Sequence, residues 1–249
     1  LAGTCYIRPS ATGNGSGSEW ANAMGWSTAT FTRGKTYYLA DGNYSSKIFN
    51  TPTSGTSVIT IKKATASNHG TNTGWSSADD GDGQAVINST VQFTTANWTL
   101  DGQVRNESDW FSGSDYGIKI ADNQDSQIYV GNVNVDNIQI RYVYLQAPST
   151  PLPTVTIARY GFNIYDGSAW GGANLFTGYV VHRSFFQYGS VPIFTRTHDG
   201  MIVEYSAFDA NQSNNANHGE AVSAYFGNNN FIFRFNKFRA IQGTAVWAF

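Results

Sequence analysis

This chain has almost no cysteine, little charge and no long apolar run. Its single cysteine, Cys5, excludes an intrachain disulfide and a cysteine-built metal site, and reads as a small apolar residue. Charged residues make up 13% of the 249 residues, with a net charge of −2. That leaves no basic field to attract a phosphate backbone, so no nucleic-acid partner is expected. No apolar stretch approaches the ~20 residues of a membrane helix, so no membrane insertion is expected. The opening LAGTC lacks a basic segment followed by an apolar run, so no secretory leader is legible there. No phosphate loop, nucleophile elbow or paired-His zinc motif stands out. What is present is abundant Gly, Asn, Ser and Thr with 15% aromatics, a profile that favours strands and turns over helix bundles.

The second half repeats itself. NIQIRYVYLQA (137–147), GYVVHRSFFQY (178–188), GMIVEYSAFDA (200–210) and NFIFRFNKFRA (230–240) align column by column, apolar at the second, fourth and ninth places. Each unit alternates apolar and polar residues over about five positions, which is the period of a strand. One such strand cannot bury its own apolar face, whereas stacked copies make a continuous core. Further short strands lie between the copies, at VPIF, AVSAYF and TAVWAF. Val143, Ser184, Ser206 and Asn236 recur at one place after the first strand and are expected to form a sharp bend. The expected fold is all-β, a right-handed parallel β-helix of one domain. Residues 1–35 form a short N-terminal cap and opening strand, and 36–249 form the coils. Because Phe249 ends a predicted strand, a C-terminal continuation or a partner covering the last coil is expected.

Alternation places the fifth residue of each repeat outward and in line from coil to coil. That column reads Arg141, His182, Glu204 and Arg234, preceded by Asp101 if NWTLDGQV joins the register. Arginines there suit the carboxylates of an acidic sugar chain, and His182 or Glu204 suits proton exchange. The plainer alternative is that opposite charges satisfy one another on a solvated face. A second cluster is Arg196, His198 and Asp199 in TRTHDG. Asp199 with Glu204 suits the carboxylate pair of a glycosidase, although Asp-Gly is also an ordinary turn. Trp75, Trp110, Phe111 and Trp170, in polar or Gly-rich loops, either stack on sugars or fold over the sides of the coils. Sequons at Asn88, Asn97 and Asn106 are what so much Asn, Ser and Thr produces by chance.

The segment from Tyr6 to Asp101 has a Gly-rich loop, Trp20, RGKTYYLADGNY, GTSVITIKK and WTLDG. With the later coils, it resembles secreted parallel β-helix proteins of the pectate-lyase-like superfamily. Within these it is most similar to polysaccharide lyases acting on alginate and dermatan-type chains. Glu220 opens AVSAYF, Asn236-Lys237-Phe238 supplies a turn, and Gly243 opens TAVWAF, as in that family. The family's catalytic Lys and Arg positions are held here by Tyr225 and Ala248. The resemblance implies an extracellular or cell-surface bacterial protein that takes polysaccharide as partner and cleaves it by lyase or hydrolase chemistry. It implies Ca²⁺ at Glu220, beside His218. Arg141, Arg234 or Arg196 would bind substrate, His182 or Tyr225 would take the proton, and Asp199 and Glu204 would serve a hydrolase. A noncatalytic glycan-binding, adhesin or structural module is the alternative.

Overall fold

Strands of three to five residues bury nothing alone, so they need neighbours on both sides. The computed structural model describes residues 3–121, 126–131, 134–149, 159–165, 175–196, 198–210, 212, 219–225, 229–243 and 246–248. Its strands lie in parallel sheets. The nine-stranded first sheet runs, in spatial order, Met24–Gly25, Thr4–Arg8, Thr36–Leu39, Ile59–Lys63, Trp98–Asp101, Ile138–Arg141, Val180–His182, Ile202–Glu204 and Ile232–Arg234. The seven-stranded second sheet contains Gly42–Tyr44, Ala85–Ile87, Ile118–Ala121, Val143–Gln146, Phe185–Gln187, Ala207–Asp209 and Lys237–Arg239. The seven-stranded third sheet contains Lys47–Phe49, Val91–Phe93, Ser126–Val130, Tyr160–Ile164, Val191–Arg196, Val222–Tyr225 and Val246–Ala248.

From Thr36 onward the chain visits the first, second and third sheets in turn, and each new strand pairs in parallel with the one laid down a turn earlier. The fold is nearly all-β and compatible with a parallel β-helix. Each turn carries three main strands, because the eleven-residue repeat spans two of them. Thr4–Arg8, expected as an opening strand apart from the coils, pairs in register with Thr36–Leu39 inside the first sheet. EWANAMGW gives a single 3-10 turn, Trp20–Asn22.

Inward residues of all three sheets meet in one buried cluster, for example Leu100, Ile140 and Val203 from the first, Ile120 and Phe208 from the second, and Phe93 and Ile193 from the third. Removing such side chains from water stabilises the fold by about 1.5–3 kcal/mol each. Phe208 stacks on Phe186 and Phe238 at 5.0 and 5.3 Å, so aromatic rings also run coil to coil.

The bend between first and second sheets differs from expectation by one residue. Tyr142, Arg183, Tyr205 and Phe235, not the Ser and Asn after them, adopt left-handed backbone with φ of 51 to 56°. A branched or bulky residue there costs about 1–2 kcal/mol, so the site must compensate. Ser184, Ser206 and Asn236 instead serve as rungs. Val143 N donates to Ser184 Oγ at 3.3 Å, Ser184 N to Ser206 Oγ at 3.1 Å, and Ser206 N to Asn236 Oδ1 at 2.8 Å. The Ser206 hydroxyl in turn donates to Glu204 O at 3.0 Å. Ser206 is fully buried, so Ser206→Ala strands an N–H and weakens a carbonyl. We expect it to cost about 1–3 kcal/mol, read as a lower urea midpoint at unchanged slope. The preference for Asn and Gly at left-handed positions does hold at another corner, before the first-sheet strands, at Asn97, Asn137, Gly178, Gly200 and Asn230.

Candidate functional site

Parallel register sets the outward column of the first sheet. Lys62 is paired with Asp101, Asp101 with Arg141, Arg141 with His182, His182 with Glu204, and Glu204 with Arg234. The column therefore assembles as the alternation implied, with steps of about 4.8 Å. Glu204 is its hub. His182 Nδ1 lies 3.1 Å from Glu204 Oε1, while Arg234 Nη2 and Nε reach Oε2 at 2.7 and 2.8 Å. Partial burial works against the Glu204 carboxylate, but Arg234 and His182 hold its pKa below the usual value. Arg141 Nη2 donates to Gln139 Oε1 at 2.6 Å, and among the described residues no carboxylate pairs with Arg141.

The hydrogen bonds assign the His182 tautomer. Arg183 Nε, which can only donate, lies 3.0 Å from His182 Nε2, so Nε2 carries the lone pair. Nδ1 then carries the proton and donates it to Glu204. Burial lowers the imidazole pKa, and Glu204 offsets this only in part. His182 is therefore neutral near pH 7, a base oriented by a carboxylate.

Beside this column runs a second one that sequence reading missed. At the strained bend Tyr142, Arg183, Tyr205 and Phe235 project outward in line. Arg183 lies over the Tyr142 and Tyr205 rings at 5.9 and 5.5 Å, and Tyr205 stacks on Phe235 at 5.0 Å. These contacts offset the backbone strain. Phe235 remains 62% exposed, which leaves a flat face next to Arg234.

A strap closes the other side. The loop 102–117 folds over the second sheet, with Tyr116, Tyr144 and Phe185 buried together and Phe111 and Trp110 packed on them. Trp110 is sandwiched between Arg105 at 3.9 Å and Lys237 at 4.1 Å, while Arg239 covers Phe111 at 4.2 Å. Trp110 and Phe111 thus fold over the side of the coils, and Trp75 does so between Trp20 and His69. Trp170 lies outside the described residues. Where the strap begins, Lys63, Asp82, Gln84, Arg105, Asp115 and Tyr116 line a cavity of 370 Å³. Lys63 sits at an inward strand position, donates to Ala64 O and Asp80 O, and has its pKa lowered by burial to about 8. The only signal for it was the Lys62-Lys63 doublet, one of which had to face inward.

Other expected residues sit elsewhere. Arg196 pairs through its backbone with Tyr225 in the third sheet, and its guanidinium covers the Tyr165 ring at 4.4 Å. By strand position neither residue joins the His182 column. Asp199 belongs to a separate ladder, His198–Asp199 with Phe176–Thr177, and accepts from Asn230 Nδ2 at 2.8 Å. Among the described residues it shares no partner with Glu204. His198 is fully buried beneath Phe176 and Tyr179. Glu220 is buried, and His218 lies outside the described residues. Among the described residues no group of three or more His, Cys, Asp or Glu gathers where a metal ion could sit, so they do not by themselves form a calcium cage at Glu220. Among the described residues no helix is long and apolar enough to cross a membrane. No protein-family model, curated protein or solved structure matches this chain.

Proposed function

We propose that this protein is a right-handed parallel β-helix, extracellular or cell-surface, that binds an acidic polysaccharide along the His182 column and cleaves it by β-elimination. One observation carries the reading: a neutral His182, oriented by ionised Glu204, stands one strand from Arg141, a cation with no carboxylate partner among the described residues. Elimination needs such a pair. Arg141 neutralises the uronate carboxyl and so acidifies the adjacent C–H. His182 Nε2 takes that proton, the electron pair forms the new double bond, and the glycosidic oxygen on the next carbon leaves. That oxygen collects the proton from the imidazolium, directly or relayed through a water, and the neutral base is restored. Tyr142, Tyr205 and Phe235 supply flat faces for sugar rings.

Hydrolysis fits less well. An acid is required, and Glu204 is held ionised by Arg234 and His182, while Asp199 is tied to Asn230. A noncatalytic glycan-binding module is favoured by a different observation. Arg183 covers Nε2 and both Glu204 oxygens are engaged, so the His182–Glu204 pair offers no uncovered base in the free protein. On the lyase reading Arg183 must move off Nε2 before the lone pair reaches substrate.

The deciding assay incubates the protein with a panel of acidic and neutral polysaccharides, recording unsaturated-uronate absorbance and reducing ends with and without a chelator. Absorbance is the expected result with uronate-containing chains. Reducing ends without absorbance would establish a hydrolase, and silence with binding would establish the noncatalytic module. Loss of activity on chelation would bring calcium at Glu220 back into the mechanism.

A further inference from the structure

The Glu107 carboxylate is gripped from two sides. Arg105 Nη2 reaches Oε2 at 2.9 Å and Arg105 Nε reaches Oε1 at 3.2 Å, while Arg183 Nη1 also donates to Oε1. The three residues differ in how firmly they are held. The Arg105 side chain is fully buried, donates through Nη1 to Tyr205 O, and stacks on Trp110. Arg183 is clamped between the Tyr142 and Tyr205 rings and bonded to His182. The Glu107 carboxylate, by contrast, is 52% exposed and, among the described residues, is held only by these two guanidinium groups. Both arginines therefore keep most of their supports if the carboxylate departs, and a fork already assembled costs little to refill.

We propose that Arg105 and Arg183 form a carboxylate-binding subsite, occupied in the free protein by the chain's own Glu107 and taken over by a carboxylate of the ligand. The inference rests on the acidic-polysaccharide reading for the identity of that ligand, but not for the subsite itself. Two guanidinium groups converging on one carboxylate make charge-assisted, bidentate bonds whose geometry suits a planar carboxylate over a neutral hydroxyl. The fork shares Arg183 with His182, so it places a bound uronate beside that base. One carboxylate in the fork and another at Arg141 would select a chain bearing acidic groups on more than one sugar.

The test uses Glu107→Gln, which keeps the shape of the exposed side chain, with Glu107→Ala as a second variant. Sodium glucuronate and, separately, sodium acetate are titrated while the Nε–Hε resonances of Arg105 and Arg183 are followed by NMR, with glucose as the neutral control. Loss of one signal in Arg183→Lys assigns Arg183. The expected result is saturable movement of both signals with either carboxylate, at about three- to tenfold lower concentration in Glu107→Gln than in the native chain, and none with glucose. Equal or weaker binding in both variants, or no movement at any concentration, overturns the subsite. Failure of the polysaccharide reading looks different: both carboxylates move the arginine signals, but a glucuronate oligomer binds no tighter than the monomer.

Discussion

His182→Ala lowers the rate of unsaturated-product release by about 10²–10⁴-fold, the range a positioned general base supplies. The loss should fall on kcat, because the rings of Tyr142, Tyr205 and Phe235 and the guanidinium of Arg141 remain to bind substrate. Stability should change by less than about 1 kcal/mol, since the His182–Glu204 pair lies on the outer face and Arg234 still holds Glu204. The pH profile adds an independent check. Burial depresses the His182 pKa, with Glu204 opposing, so the neutral base accumulates from below the ordinary histidine value of ~6.5 upward. Activity should rise through a midpoint under that value and be flat at neutral pH. A variant that retains the native rate while still forming unsaturated product moves the base to another residue. A midpoint well above 7 would contradict the environment described for His182.

How much of this was legible in the sequence depends on the range of the contact. The order Asp101, Arg141, His182, Glu204, Arg234 was readable because a period of two fixes which residues face outward, and stacked parallel strands leave no freedom to slip. The bend was misplaced by one residue for a physical reason. Composition rules put Asn, Gly or Ser at left-handed positions, but Tyr142, Arg183, Tyr205 and Phe235 occupy them here because stacking from coil to coil compensates. Of the strap, only the loop aromatics Trp110 and Phe111 were legible, as rings that either stack on sugars or fold over the coils, and its polar partners were not. Arg105 meets Tyr205 across 100 residues and Glu107 meets Arg183 across 76, and nothing local marks such partners. The polar stretch 64–83 hid Asp80 in the same way. It is 1% exposed and makes a twofold grip on Arg8, with both bonds at 2.7 Å across 72 residues.

His198 shows the same limit from the other side, and it makes stability depend strongly on pH in the acid range. In the sequence it stands between Arg196 and Asp199 in a turn-like TRTHDG and reads as part of a charged cluster. In the fold it points into the core, 5.7 Å from the Phe176 ring and 4.4 Å from Tyr179, with Nδ1 2.6 Å from Thr195 Oγ1. Burial pushes its pKa down to about 3, because the cation would lose its hydration in an aromatic box. The sign follows from proton counts. Between the unfolded value of ~6.5 and the folded value, the unfolded chain binds a proton that the native one refuses. The stability contributed by neutral His198 is therefore complete above pH ~6.5 and is lost as pH falls toward the folded pKa. By pH 4 the loss amounts to about 3 kcal/mol. Urea unfolding of the native chain and of His198→Gln at pH 7 and pH 4 separates this from the carboxylates, which titrate in both. The variant should be less stable at pH 7, yet lose about 3 kcal/mol less on acidification. Equal acid sensitivity in the two proteins would mean that His198 is protonated within the native fold, and that the box opens to water.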